Sequence, residues 1–382
     1  MRIGIITGEY PPMQGGVGAY THILADEMTR QGESVHIFTS LQAASPDHPS
    51  TVSATIADWG WSLFRAVRAW AKQHRLDLLN IQYQTAAFGM SPWIHFLPDR
   101  LRPIPVVTTF HDLRVPYLFP KAGKLRPWIV RHLARASDGI IVTNHEDDGQ
   151  MQSIPHRALI PIGSNILKPL PLDFDRASYR AATGSADTDC LLAYFGLFNQ
   201  TKGIDVLLDA LRDLRGRGLP VRLVMIGGGA GSSDPSNASF ESWMHARITA
   251  LSLQDAIHFT GYLEDESRVA AYLAASEIVV LPFRDGASFR RGSLMAALHH
   301  GCAIITTTPS VPIPAFTDSS ALRLVPPGDA HALAEAIDAL RRSPTEQAAL
   351  RQGACALASQ FEWPQIAQQT LAFFQQIIQQ SP

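Results

Sequence analysis

Cysteine is nearly absent. The 382 residues hold three, Cys190, Cys302 and Cys355, far apart and odd in number. That argues against a disulfide framework and a paired-cysteine metal site, and it fits a reducing compartment. No apolar run approaches the ~18 residues of a membrane span. The opening residues form a strand bearing Arg2 and followed by Glu9, not the apolar leader of a secretory signal. Net charge is only −2, so the chain has no electrostatic footprint for nucleic acid. A cytoplasmic protein is the expectation. What the chain does have is length for two domains and 46% apolar residues, enough to fill two cores.

The first half alternates apolar β runs with helical patterns. Strands are predicted at 2–7, 34–39, 51–57, 77–82, 105–109 and 139–143, and helices at 17–31, 61–74, 124–136 and 146–152. This alternation predicts a parallel sheet covered on both faces. Residues 167–189, with Pro169, Pro171 and scattered charge, read as a linker. A second series begins at Cys190, with strands at 221–226, 256–260, 278–281, 303–306 and 322–325. Its helices fall at 203–216, 240–252, 266–275, 293–300, 329–342 and 344–359. Residues 229–239 form a polar Gly/Ser/Asn loop, and Trp363 to Gln379 has apolar residues near helical spacing. The expected fold is α/β, with two Rossmann-like domains facing across a cleft: residues 1–168 and 187–360, the helix from 363 to 382 returning to the first.

The first strand runs into Gly15-Gly16-Val17-Gly18, which opens a helix. Such a loop lets backbone N–H groups approach a phosphate, helped by the helix dipole; a tight turn is the plainer reading. A dinucleotide fingerprint does not fit, because the third glycine is missing and Phe38-Thr39-Ser40 supplies no acid for a ribose. His111-Asp112 follows a strand, where a histidine can bond a sugar hydroxyl, handle a proton near neutral pH, or simply cap the strand end. Lys202-Gly203 stands just before a helix. Asp285 to Leu294 joins a strand to an Ala/Leu-rich helix, and Arg290, Arg291, Gly292 and Ser293 make a candidate diphosphate cradle.

Three features carry less. His299 and His300 are adjacent on a helix and point apart, so they do not form a metal site. Asp173-Phe174-Asp175 has an Asp-x-Asp pattern by chance. Residues 114–135 carry six cations and no acid, interleaved with Phe119, Leu125, Trp128, Ile129 and Leu133. That segment reads equally as a helix contacting anionic lipid at the membrane surface and as a basic face whose apolar side packs on the sheet.

Taken in order, these pieces resemble glycosyltransferase family 4, a retaining group with the GT-B fold. The resemblance rests on Glu9-Tyr-Pro-Pro-Met-Gln-Gly-Gly-Val-Gly18, His111, Ile160-Pro-Ile-Gly-Ser-Asn165 and Phe195-Gly196 with Lys202-Gly203. It continues through Phe259-Thr-Gly-Tyr-Leu263, Ile278-Val-Val-Leu-Pro282, Ala296-Ala-Leu-His-His-Gly301 and Phe361-Glu-Trp363. It implies a sugar moved from a nucleotide-diphosphate donor, UDP-linked, to a glycan, lipid-linked or small-molecule acceptor, in polysaccharide or glycoconjugate synthesis. No metal or other cofactor is expected. The implied catalytic residues are His111, Lys202 and Asp285. Implied donor-binding positions are Gly15, Gly16, Asn199, Lys202, Tyr262, Leu263, Arg290, Arg291, Gly292, Ser293 and Leu294.

The chain departs from the family where charge is usual. Leu197 stands where the family has an arginine, and Ser288 and Ala296 stand at the positions of its two glutamates. Asp285 is expected to replace the first glutamate as a ligand of the donor sugar, and Arg290 or Arg291 the arginine. A non-catalytic nucleotide-sugar-binding protein and a nucleotide-sugar epimerase are the alternatives.

Overall fold

The computed structural model describes residues 1–113, 125–228, 236–316 and 320–380. The chain divides into two compact units, Met1–Gly163 with Glu362–Pro382, and Ser164–Phe361. The predicted loop at 229–239 lies largely outside the described residues, as does the stretch 114–124 of the basic segment.

The first unit contains β1 (Arg2–Thr7), α1 (Gly16–Arg30), β2 (Ser34–Ser40), β3 (Val52–Ile56), α2 (Leu63–His74), β4 (Leu78–Tyr83) and α3 (Leu97–Leu101). It continues with β5 (Val106–Phe110), α4 (Leu125–Ala136), β6 (Gly139–Val142), α5 (His145–Gln150) and β7 (Arg157–Leu159). The sheet is parallel, in the order β3-β2-β1-β4-β5-β6-β7. Its central strands are buried along almost their whole length, as a sheet covered on both faces demands.

The second unit contains α6 (Arg176–Ala182), β8 (Cys190–Phe195), α7 (Ile204–Gly216), β9 (Val221–Ile226), α8 (Ser236–Ala250), β10 (Ile257–Gly261) and α9 (Glu266–Ala275). Then follow β11 (Ile278–Leu281), α10 (Gly292–His299), β12 (Ile304–Thr307), β13 (Arg323–Val325), α11 (Ala330–Arg341) and α12 (Pro344–Ala358). Its parallel sheet has the order β10-β9-β8-β11-β12-β13. The last helix, α13 (Trp363–Gln380), returns to the first unit and packs on α1. Its buried residues Trp363, Ile366, Ala367, Thr370, Leu371, Phe374 and Ile377 recur at helical spacing.

The segment 167–189 is not a linker. It belongs to the second unit and carries α6, and Asp175 caps that helix by accepting from the N–H groups of Ala177 and Ser178. Arg180 is buried, pairs with Glu277 and donates to the carbonyls of Ala186 and Asp189. A buried guanidinium satisfied at several points fixes this stretch against the sheet, which its proline content concealed.

Three histidines are held neutral by burial. His95, His111 and His300 sit at about 4, against an ordinary 6.5. Below pH 6.5 the unfolded chain takes up protons on these rings that the folded chain refuses until about pH 4. Their contribution to stability is therefore present above 6.5 and lost as pH falls. Glu9 acts oppositely, since burial raises its carboxyl from 4.5 to about 6, but it is one group against three. Urea denaturation followed by tryptophan fluorescence should show stability falling steadily from pH 7 to pH 4.5. A flat or rising profile would contradict this burial.

Candidate functional site

In an open parallel sheet, ligands bind where neighbouring strands send their connections in opposite directions. In the second unit that point lies between β8 and β11. The loop after β8 makes a short helical turn, Gln200–Lys202, capped by Asn199, whose Oδ1 accepts from Thr201 N–H at 3.1 Å and Oγ1 at 2.8 Å. Gly203 follows with φ +68°, and a Cβ there would lie 1.8 Å from the carbonyl oxygen of Pro282. Only glycine permits both the left-handed backbone and this approach. The loop after β8 is thereby laid on the loop after β11, and Arg284 N–H donates to Thr201 C=O at 3.0 Å.

This docking gathers residues distant in sequence. Phe283 is fully buried. Lys202 Nζ lies 5.3 Å from its ring centroid, and the Arg291 guanidinium carbon 4.8 Å from the same ring, both within cation–π range. Asp285 accepts from Arg290 at 3.4 Å and is also in contact with Arg291. The carboxylate expected to face a sugar thus rests on the two guanidinium groups.

Arg291 is the N-cap of α10 and supplies no capping side chain. The Gly292 and Ser293 N–H groups, the first two of that helix, have no partner within it. Ser293 Oγ, beside them, is buried with no hydrogen-bond partner among the described residues, and so is Ser288 Oγ. Leu294 offers no ligand group: it is fully buried and its N–H donates to Arg291 C=O at 2.8 Å. Ala296 is equally buried, Leu197 is exposed, Leu263 is half-buried, and Tyr262 stands largely exposed beyond β10. Gly227, just after β9, bridges to Gly261, a backbone contact that sequence reasoning missed. The paired glycines after a strand, Gly227-Gly228, were the available signal.

In the first unit, Gly15 lies against the Glu9 carboxylate: a Cβ there would lie 1.9 Å from Glu9 Oε2, and the side chain would have to shift. Gly16 opens α1, and a Cβ there would meet nothing within 4 Å. His111 Nε2 is 2.7 Å from Gln82 Oε1, and its ring meets Tyr20 edge-on at 4.7 Å. Gln82 is itself oriented, because its Nε2 donates to Asn80 Oδ1. Asn80 Nδ2 in turn donates to Val107 C=O and Thr109 Oγ1. With Gln82 Oε1 turned to the ring, Nε2 of His111 carries the hydrogen and Nδ1 is an acceptor. Burial lowers the ring to about 4, so the imidazole is neutral near pH 7. Asn80 and Gln82 were missed; two amides inside an apolar strand were their signal.

Of the basic segment, the described part is α4. Val130 and Leu133 enter the core and Trp128 faces outward, stacked on His132 at 5.5 Å. Among the described residues no group of three or more metal-ligating side chains converges.

Two family models match the chain: Glycosyltransferase Family 4 over residues 14–160, and Glycosyl transferases group 1 over residues 189–343. The chain is 25% identical over 396 residues to a phosphatidyl-myo-inositol mannosyltransferase of Mycobacterium leprae, covering 99% of this chain and 97% of that protein. It is also 25% identical over 297 residues to the alpha-monoglucosyldiacylglycerol synthase of Streptococcus pneumoniae, covering 72% and 64%. Among solved structures, the sucrose-phosphate synthase of Thermosynechococcus elongatus superposes with a TM-score of 0.77 at 20% identity, covering 99% of both chains. The HepE protein of Anabaena, solved with UDP and glucose, gives 0.78 at 18% identity, covering 98% of this chain and 99% of that one.

The amide relay onto His111 can be tested without substrate. Nitrogen-correlated NMR should show the Nε2–H form in the wild type. In Gln82→Leu that preference should be lost, with a stability cost of about 1–3 kcal/mol for the unmatched buried donor. An unchanged tautomer would show that Gln82 does not set it.

Proposed function

Starting from the fact that this chain belongs to glycosyltransferase family 4, with two parallel-sheet Rossmann-like units of the GT-B class, we propose that it is a retaining transferase using a UDP-linked sugar. The second unit holds the donor and the first receives a glycan or lipid-linked acceptor. The observation that carries this reading is the convergence of Lys202 and Arg291 on one buried ring beside the bare N-terminus of α10. Two fixed cations, helix N–H groups and the Ser293 hydroxyl suit a diphosphate. The relatives named for transfer to phosphatidylinositol and for a glucosyldiacylglycerol product support a lipid-linked acceptor.

The bond between the anomeric carbon and the diphosphate oxygen breaks, and an acceptor oxygen bonds to the same face of that carbon. The acceptor proton passes to the departing phosphate. Charge grows on the diphosphate as the bond breaks, and Lys202, Arg291, Arg290 and the Gly292 and Ser293 N–H groups stabilise it. One such preorganised donor is worth ~3 kcal/mol. Arg291 takes the place of the family arginine lost at Leu197. Asp285 acts as a positioning residue that orients both arginines, instead of as a sugar ligand. In the first unit, His111 Nδ1 accepts from a sugar hydroxyl. A peripheral membrane location fits a lipid-linked acceptor, and no helix among the described residues is long and apolar enough to cross a membrane.

Slow hydrolysis of UDP-sugar to UDP without acceptor is the primary test, and binding without turnover would leave only a pseudoenzyme. Lys202→Ala should weaken UDP binding about tenfold to a hundredfold, as loss of a charge-assisted contact implies. Asp285→Asn should lower UDP affinity and turnover together at an unchanged melting temperature. Retained UDP affinity with lost discrimination between sugars would make Asp285 a sugar ligand after all. Because fixed cations supply the stabilisation, hydrolysis should persist in EDTA; loss restored by Mn²⁺ would refute that.

A further inference from the structure

The first unit encloses an acid that its own fold leaves unmatched. Its sheet changes the direction of its connections between β1 and β4, which by the rule applied to the second unit is where a ligand enters. Thr7 ends β1 in register with Gln82 of β4, the residue that holds His111. Glu9 stands two residues further on, and Thr7 Oγ1 donates to its carbonyl at 2.7 Å. Gly8 is pressed on the loop after β4: a Cβ there would lie 2.1 Å from the Ala87 carbonyl oxygen. Gly18 meets the Glu9 backbone, where a Cβ would lie 3.1 Å from the carbonyl carbon. With Gly15 against its carboxylate, Glu9 is 7% exposed, buried but not sealed.

Two observations identify what this acid meets. First, no hydrogen bond or ion pair among the described residues engages its carboxylate, and burial by itself raises the group from 4.5 to about 6. A buried carboxylate without a partner costs stability, and proteins keep such groups where function needs them. Second, the loops around it carry no cation. Residues 8–18, 41–51 and 84–92, which follow β1, β2 and β4, contain no lysine or arginine. A phosphate arriving there would meet a negative charge with nothing to balance it. The other polar group described at this edge, His111 Nδ1, is also an acceptor. Acceptors without cations select a ligand rich in hydroxyl donors. A metal ion would need further ligands, and no group of three or more converges among the described residues.

We propose that Glu9 is a binding carboxylate of the first unit that takes hydrogen bonds from the hydroxyls of an uncharged polyol, a hexose or inositol ring. The start of α1 at Gly15 and Gly16 then meets a neutral ring in place of a phosphate, and any phosphate of the acceptor lies away from this point. That the polyol is the acceptor rests on the reading of the first unit as the acceptor unit. The choice of hydroxyl over anion does not.

The test follows the Glu9 carboxyl carbon by NMR in the full chain, labelled at the glutamate side-chain carboxyl and assigned by the signal lost in Glu9→Gln. Methyl α-glucopyranoside and myo-inositol should shift it saturably and lower its pKa, since a hydrogen bond to the ionised form favours that form. Inorganic phosphate should leave it unmoved. In saturation-transfer NMR, Glu9→Gln should bind the two polyols about tenfold to a hundredfold more weakly, as loss of a charge-assisted hydrogen bond implies. The variant should also melt higher than wild type at pH 7.5, and by a smaller margin at pH 5. Folded Glu9 keeps its proton up to about 6 and the unfolded chain only up to 4.5, so the cost of the buried charge grows as pH rises through that window. A variant that melts no higher at pH 7.5 would make Glu9 a structural acid and overturn the proposal. So would an unmoved carboxyl carbon, unchanged polyol affinity in the variant, displacement of polyol by phosphate, or salt-sensitive preference for glucosamine, which marks an ammonium site. An unmoved carbon in wild type that binds UDP refutes this inference alone. A carbon moved by polyol in a protein that fails to hydrolyse UDP-sugar refutes the transferase reading and leaves the polyol site standing.

Discussion

The approach of Gly203 to the carbonyl of Pro282 is the contact on which the second unit's chemistry depends. It joins the loops that follow β8 and β11, the two strands flanking the switch point of the sheet. Only with those loops in register can Lys202 and Arg291 share the Phe283 ring. Bringing two cations together costs free energy through like-charge repulsion, and burying part of the arginine adds desolvation. The aromatic face and the Asp285 carboxylate offset that cost in advance. Charges held this way are oriented before any ligand arrives, which is the condition for strong electrostatic stabilisation of an anion.

The first unit solves a different problem. An isolated imidazole moves its hydrogen freely between two nitrogens. Here a chain of amides running from Val107 and Thr109 through Asn80 and Gln82 decides the matter. These amides occupy the interior of β4, where unsatisfied polar groups would be costly. Burial then keeps the ring neutral. Orientation and protonation state thus come from the same buried layer.

Much of this was legible beforehand. The strand and helix rhythm, the restart at Cys190 and the closing helix are periodic signals spread over many residues, so single irregularities do not hide them. Lys202, Arg291 and Ser293 were legible as candidates because each borders a helix start. The roles within the loops were less legible. Asp285 was read as a sugar ligand from its place in the chain, and its contacts with the arginines five and six residues ahead are visible only in space. The segment 167–189 read as a linker because its prolines outweigh the short α6, whose hold comes from Arg180 reaching Glu277 nearly a hundred residues away.

By itself, the amino-acid order determined the fold class, the two parallel sheets and the family. These follow from local propensity and from glycines at strand ends, properties carried by neighbours along the chain. Tertiary structure alone decided which of two adjacent arginines joins Lys202 and which nitrogen of His111 accepts. Each of these depends on side chains from separate strands or helices arriving at one point, and no periodicity along the chain encodes that meeting.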